Sequence, residues 1–156
     1  MNNPAVQDAI ESMELLDLYL NDSQVQRSRD FDLHYPIDEM RQQSKLSVSG
    51  ELLSKQAEDG GADELNLRAF VSFGLRFVRA EEDADHNDEK PLSELSATFA
   101  VIYRMSRELP DETIQAFIQY NVIHNAWPFW REHALRTASE AKIPRPHIGL
   151  FKPKSP

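Results

Sequence analysis

From Leu65 to Phe77 every second residue is apolar: Leu65, Leu67, Ala69, Val71, Phe73, Leu75 and Phe77. Side chains alternate across an extended strand, so this period places all seven on one face. The pattern returns after the acidic stretch Glu81 to Glu89 as Leu95, Ala97, Phe99, Val101, Tyr103 and Met105. Two such runs predict a long antiparallel hairpin with one packed face. The alternate positions include Arg68, Ser72 and Arg76 on the first run and Ser96, Thr98 and Arg104 on the second, so the other face is expected to meet water.

Outside this hairpin the pattern is weaker. Val6, Ala9, Ile10 and Met13 recur at helical spacing and predict a short helix or turn before a strand around Leu15 to Leu20. Phe31 to Met40 is apolar without a period and contains Pro36, which cannot donate to a sheet ladder; it reads as a long crossover loop. A second strand is expected over Lys45 to Ser54, followed by a turn at Glu58 to Ala62 with Gly60 and Gly61. Pro110, Asp111 and Glu112 mark a helix start, and Ile114, Phe117 and Ile118 form a stripe behind it. Proline disfavours helical geometry in the residue before it, which predicts a break at Asn125 to Pro128. A second helix then runs from Pro128 to about Ala141 and stops before Pro144 and Pro146.

Composition narrows the classes. A chain of 156 residues that is 40% hydrophobic supports one domain over residues 1–156. Nothing in it is an apolar run long enough to cross a bilayer, and Met1 to Asp8 carries no signal-peptide pattern, so a cytoplasmic protein without membrane insertion is expected. With no cysteine, disulfides and thiolate chemistry are absent. A formal charge of −9 argues against nucleic acid as partner. The charge is also uneven: Met1 to Glu112 holds 24 acids and 11 bases, and Thr113 to Pro156 holds 2 acids and 6 bases, a split that suits self-association or a charged partner.

Candidate chemistry is sparse. Asp83, Asp85, Asn87 and Glu94 stand at positions one, three, five and twelve of a calcium loop, but Asp88 replaces the turn glycine, Lys90 and Pro91 intrude, and strands flank it. A solvated hairpin loop is the expectation. No two of the five histidines are three or four residues apart, and no phosphate loop, nucleophile elbow or dinucleotide fingerprint occurs, so neither an enzyme nor a metal or other cofactor is expected. Trp127, Phe129 and Trp130 concentrate aromatic surface beside Pro128. Adjacent Phe129 and Trp130 do not both point into one core, so at least one aromatic is expected at an interface or groove.

The segment Trp127, Pro128, Phe129, Trp130, Arg131, Glu132 is similar to the aromatic, proline, aromatic, any residue, arginine, glutamate motif of the SecB export-chaperone family. The tail Ile143, Pro144, Arg145, Pro146, His147, Ile148, Gly149, Leu150 likewise resembles that family's proline-bearing end, and the order of parts from Ile10 to Phe151 follows the same plan. The resemblance implies an α+β fold: a four-stranded antiparallel sheet with a long and a short C-terminal helix packed on one face, assembled as a homotetramer, a dimer of dimers. It implies a nucleotide-independent holdase for unfolded polypeptides, among them preproteins for export. The implied client groove comprises Phe31, Leu33, Tyr35, Ile37, Met40, Trp127, Phe129, Trp130 and Ile148. Ile114, Phe117 and Ile118 are expected at the oligomer interface, and Asp17 at a contact with the SecA motor. The chain ends in Lys152 to Pro156, where export-dedicated members extend into a longer, often acidic tail. An adaptor dedicated to one partner, such as the antitoxin of a toxin–antitoxin system, is the alternative role.

Overall fold

In the computed structural model, residues 3–29, 31, 39–80 and 90–152 are described. Helix α1 spans Pro4–Ser12, and strands β1 Met13–Arg27, β2 Met40–Lys55, β3 Glu64–Arg79 and β4 Ser93–Met105 follow. They form one antiparallel sheet in the order β1-β4-β3-β2. The expected hairpin is its centre, with Leu65 opposite Met105 and Phe77 opposite Ser93. Both periodic runs face the core, where Leu67, Ala69, Val71 and Val101 are fully enclosed. The opposite face carries a polar lattice: Arg104 bonds Glu64 at 3.0 Å and Glu14 at 3.1 Å, Ser72 meets Thr98 at 2.8 Å, and Arg68 pairs with Glu51.

β1 and β2 occupy opposite edges, so the chain between Arg27 and Met40 must pass from one side of the sheet to the other. β1 is longer than the expected Leu15 to Leu20. Register shifts between Leu15 and Asp17 and between Leu20 and Asp22 break its alternation, so that Met13, Leu15, Leu18, Leu20, Ser23 and Val25 stand opposite core-facing residues of β4. Two bulges thereby hide a continuous face from a strict period-two reading. β2 also extends past the expected Lys45 to Ser54 at both ends.

The expected helix break is not at Pro128. Helix α2 (Asp111–Phe117) runs through a π-helical turn (Ile118–Val122) into α3 (Ile123–Glu140), which contains Pro128. The buried residues Ile114, Ile118, Val122, Ala126, Trp130, Ala134 and Ala138 recur at every fourth position. Four residues overshoot one turn of a 3.6-residue helix, and the wider π turn absorbs part of that drift, keeping the row on the sheet. The helix spans the two central strands, and α1 packs beside α2 with Ala9 enclosed and Asp8 paired to Arg107.

α3 ends in a Schellman arrangement: Ile143 N–H donates to Ala138 O at 2.9 Å and Lys142 N–H to Ser139 O at 3.3 Å. Lys142 takes the left-handed conformation, φ 51°, that this turn requires. The expected second helix, Pro128 to about Ala141, is the C-terminal part of α3, and buried Ile143 and then Pro144 send the chain off it as a non-helical strap from Ile143 to Lys152, as the prolines predict.

Candidate functional site

The aromatic segment on α3 separates into three environments. Trp130 is only 3% exposed and stacks on Phe73 of β3, with ring centroids 5.3 Å apart and planes within 5°. Phe73 also meets Phe99 at 6.2 Å and Trp127 at 5.7 Å, both edge to face. Trp127 is half-buried, while Phe129 points away and is 51% exposed. Trp130, expected on the groove surface, is therefore a core residue, because its position four residues after Ala126 turns it onto the sheet. Phe129 is the aromatic left to solvent.

The strap crosses this region. Trp127 Nε1–H donates to Gly149 O at 2.9 Å, and Arg131 Nε–H donates to Ile148 O at 2.9 Å. From β2, Gln42 engages both polar groups of His147: its Nε2 donates to the carbonyl at 3.1 Å, and its Oε1 accepts the N–H at 2.8 Å. Phe151 leans on Trp127 with centroids 5.4 Å apart. Between β2, β3, α3 and the strap lies a cavity of about 410 Å³, lined by Leu46, Phe73, Trp127, Trp130, Ile148 and Phe151 among others.

Met40 starts β2 and packs half-buried against the core, and Phe31 is buried with the Arg27 guanidinium 4.7 Å from its ring centroid. Leu33, Tyr35 and Ile37 lie outside the described residues, as do Asp83, Asp85 and Asn87 of the calcium-like loop. Ile148 is half-buried as part of the strap. Ile114, Phe117 and Ile118, expected at an oligomer interface, are instead buried inside the single chain, where Phe117 meets Tyr103 edge to face at 4.9 Å. The sheet already covers their stripe. Asp17 is exposed beside the first β1 bulge, and its carboxylate accepts the Leu18 N–H at 2.9 Å.

The open apolar surface lies elsewhere. The helix covers this face of the edge strands only in part, touching β1 at Ser23 and β2 at Gly50, and leaves Leu15, Leu20 and Val25 on β1 and Leu46 and Leu52 on β2 exposed. Long edges with apolar side chains are ordinarily covered in proteins that stay monomeric. The sequence offered no signal for Gln42, because contacts to main chain leave no periodic trace; Arg131 was marked only as part of the aromatic-proline motif.

Two buried polar groups are structural. Asn125 Nδ2 donates to the Tyr103 hydroxyl at 2.8 Å; burial nevertheless pushes that phenol up to about 12. His133 lies 3.1 Å from Ser23 Oγ, tying α3 to β1. Burial holds its imidazole below the ordinary range, with Arg136 acting in the same direction and Glu132 and Glu140 against it. The rings of Phe99 and Trp130 flank it, a setting that packs a histidine rather than presenting a base to substrate. Among the described residues no group of three or more His, Asp or Glu side chains is placed to hold a metal ion, and no helix is long and apolar enough to cross a membrane.

An antiparallel sheet in the order β1-β4-β3-β2, covered on one face by a long C-terminal helix, is a SecB-like fold. Among solved structures it is similar to the Mycobacterium tuberculosis SecB-like chaperone Rv1957, solved in complex with a ChAD peptide from the Rv1956 HigA1 antitoxin: the TM-score is 0.64, covering 96% of this chain and 98% of that one, at 11% sequence identity. No family model matches the chain. No curated protein matches it by sequence.

Proposed function

We propose that this protein is a nucleotide-independent chaperone that holds unfolded or extended polypeptide segments against the aromatic surface of α3 and the start of β2. One observation carries the reading: a piece of non-helical polypeptide already lies on that surface, held through three consecutive main-chain carbonyls. A site that reads main chain and offers apolar rings suits clients of varied sequence, because hydrophobic burial is non-directional. The groove takes in Trp127 and Phe129, with Met40 at the start of β2 and Leu33, Tyr35 and Ile37 as its client-facing members; Phe31 is buried and Ile148 belongs to the strap lying on the site. Fluorescence anisotropy with labelled, reduced and carboxymethylated α-lactalbumin, in buffer without nucleotide, tests it. Saturable binding is expected; no binding at tens of micromolar protein would overturn it.

A homotetramer, a dimer of dimers, completes the reading, with contacts drawn from the open faces of β1 and β2 rather than from Ile114, Phe117 and Ile118. In a cytoplasmic export role the clients are preproteins, and exposed Asp17 is the contact offered to SecA. The second reading, an adaptor for one partner such as an antitoxin, is favoured by the peptide named in the structure of the fold's neighbour. Tight binding of a single cellular partner with no affinity for varied unfolded clients would select it.

A further inference from the structure

We infer that the strap of residues 143–152 is a built-in competitor: it occupies the peptide-reading site in its own chain, and an incoming extended segment binds by displacing it. The inference rests on the chaperone reading above and adds where the peptide main chain is gripped and what regulates access.

The geometry of the grip is the argument. Gln42 presents its side-chain amide to His147 as a neighbouring β-strand would, accepting the N–H at 2.8 Å and donating to the carbonyl at 3.1 Å. Arg131 and Trp127 then take the next two carbonyls, Ile148 and Gly149, each at 2.9 Å. None of these four bonds involves a strap side chain. Any extended segment can present the same N–H and carbonyls, so the grip itself does not require the sequence His-Ile-Gly. Strap side chains add two apolar contacts: half-buried Ile148, and Phe151 against Trp127 at 5.4 Å. Leu150 contributes little to the closure, being 84% exposed.

The strap is also hinged. Its upstream end is fixed by the Schellman turn and buried Ile143, but past Pro146 it is non-helical chain whose hydrogen bonds lie in solvent-accessible positions. Release therefore exposes the ring face of Trp127 and the amide of Gln42 while leaving α3 and the sheet in place. The ligand class is an extended peptide with an apolar residue two or three positions after the gripped carbonyls, spaced as Phe151 is from Ile148 and Gly149. When a site is mostly closed, apparent affinity falls by the fraction open. A strap closed about ten times more often than open would weaken client binding about tenfold.

The test uses the full chain and a doubly substituted full chain, Ile148→Ser with Phe151→Ser, which loosens the strap and leaves Gln42, Trp127 and Arg131 untouched. The probes are a fluorescein-labelled synthetic peptide of residues 143–152 and reduced, carboxymethylated α-lactalbumin. The labelled peptide is expected to bind the loosened chain about tenfold more tightly than the parent, and adding Gln42→Ala to the loosened chain should remove most of that gain. Equal affinity for parent and loosened chain would overturn the inference. If α-lactalbumin binds both chains alike, the holdase reading stands and the strap competition fails. If the peptide gains affinity but α-lactalbumin binds neither chain, the site is upheld and general client holding fails. Hydrogen exchange on the unsubstituted parent gives a readout without mutation: excess peptide should speed exchange of the His147 amide while slowing exchange near Gln42. Slower exchange at His147 with peptide bound would contradict displacement.

Discussion

Trp130→Ala and Phe129→Ala, made separately, should divide two adjacent aromatics into opposite phenotypes. Trp130 is almost completely enclosed and lies flat against Phe73, so its truncation removes a large buried surface, opens a cavity and loses a stacked ring pair. Deletions of this kind cost about 3–5 kcal/mol. For a chain of this size each kcal/mol lowers Tm by roughly 2–4 °C, so a drop of about 6–20 °C is expected. Phe129 keeps half its surface in solvent, and its truncation should change stability by no more than about 1 kcal/mol. The same change removes apolar contact area for a client, and losing about 1 kcal/mol there is roughly a fivefold loss of affinity. Urea melts give the stabilities, and anisotropy with unfolded α-lactalbumin gives the affinities. A Trp130→Ala chain within about 1 kcal/mol of the parent would refute the packing argument. A Phe129→Ala chain of normal stability and undiminished client affinity would remove that residue from the groove.

His133 makes stability depend on pH. Burial depresses its folded-state pKa, so below about 6.5 the unfolded chain takes up a proton that the folded chain resists. Its contribution is complete above that pH and is lost as the pH falls, so the urea midpoint should decline between about pH 7 and 5, and His133→Gln should flatten that part of the decline. Asn125→Ala leaves the Tyr103 hydroxyl without its donor in a buried setting and should cost about 1–3 kcal/mol in urea melts. Lys142→Gly relieves a side chain held in the left-handed region and should raise stability by up to about 1 kcal/mol; a loss would refute the reading of that turn.

The central hairpin was legible because Leu65 to Phe77 and Leu95 to Met105 alternate without interruption, and one buried face fixes register. β1 was only partly legible, since two one-residue bulges shift Leu18 and Leu20 out of the simple alternation that begins at Met13 and return to it at Ser23 and Val25. Local proline geometry predicts a break at Pro128, but the buried row Ala126, Trp130, Ala134 packs on the sheet and carries the helix through. The stripe Ile114, Phe117, Ile118 was rightly apolar, but its partner is the chain's own sheet. For the site, the aromatic cluster announced itself by composition. Gln42 did not: a side chain that bonds a distant main chain differs in no local pattern from one that bonds water, and the motif that includes Arg131 does not say which main chain it holds.

The most direct test of the chaperone account is suppression of aggregation of a chemically denatured client diluted into buffer without nucleotide, followed by light scattering against protein concentration. The account requires scattering to fall toward zero as protein approaches a fixed stoichiometry with client, and the loosened Ile148→Ser, Phe151→Ser chain to reach that point at lower concentration. Undiminished client aggregation in the presence of excess folded protein, parent or loosened, would contradict it.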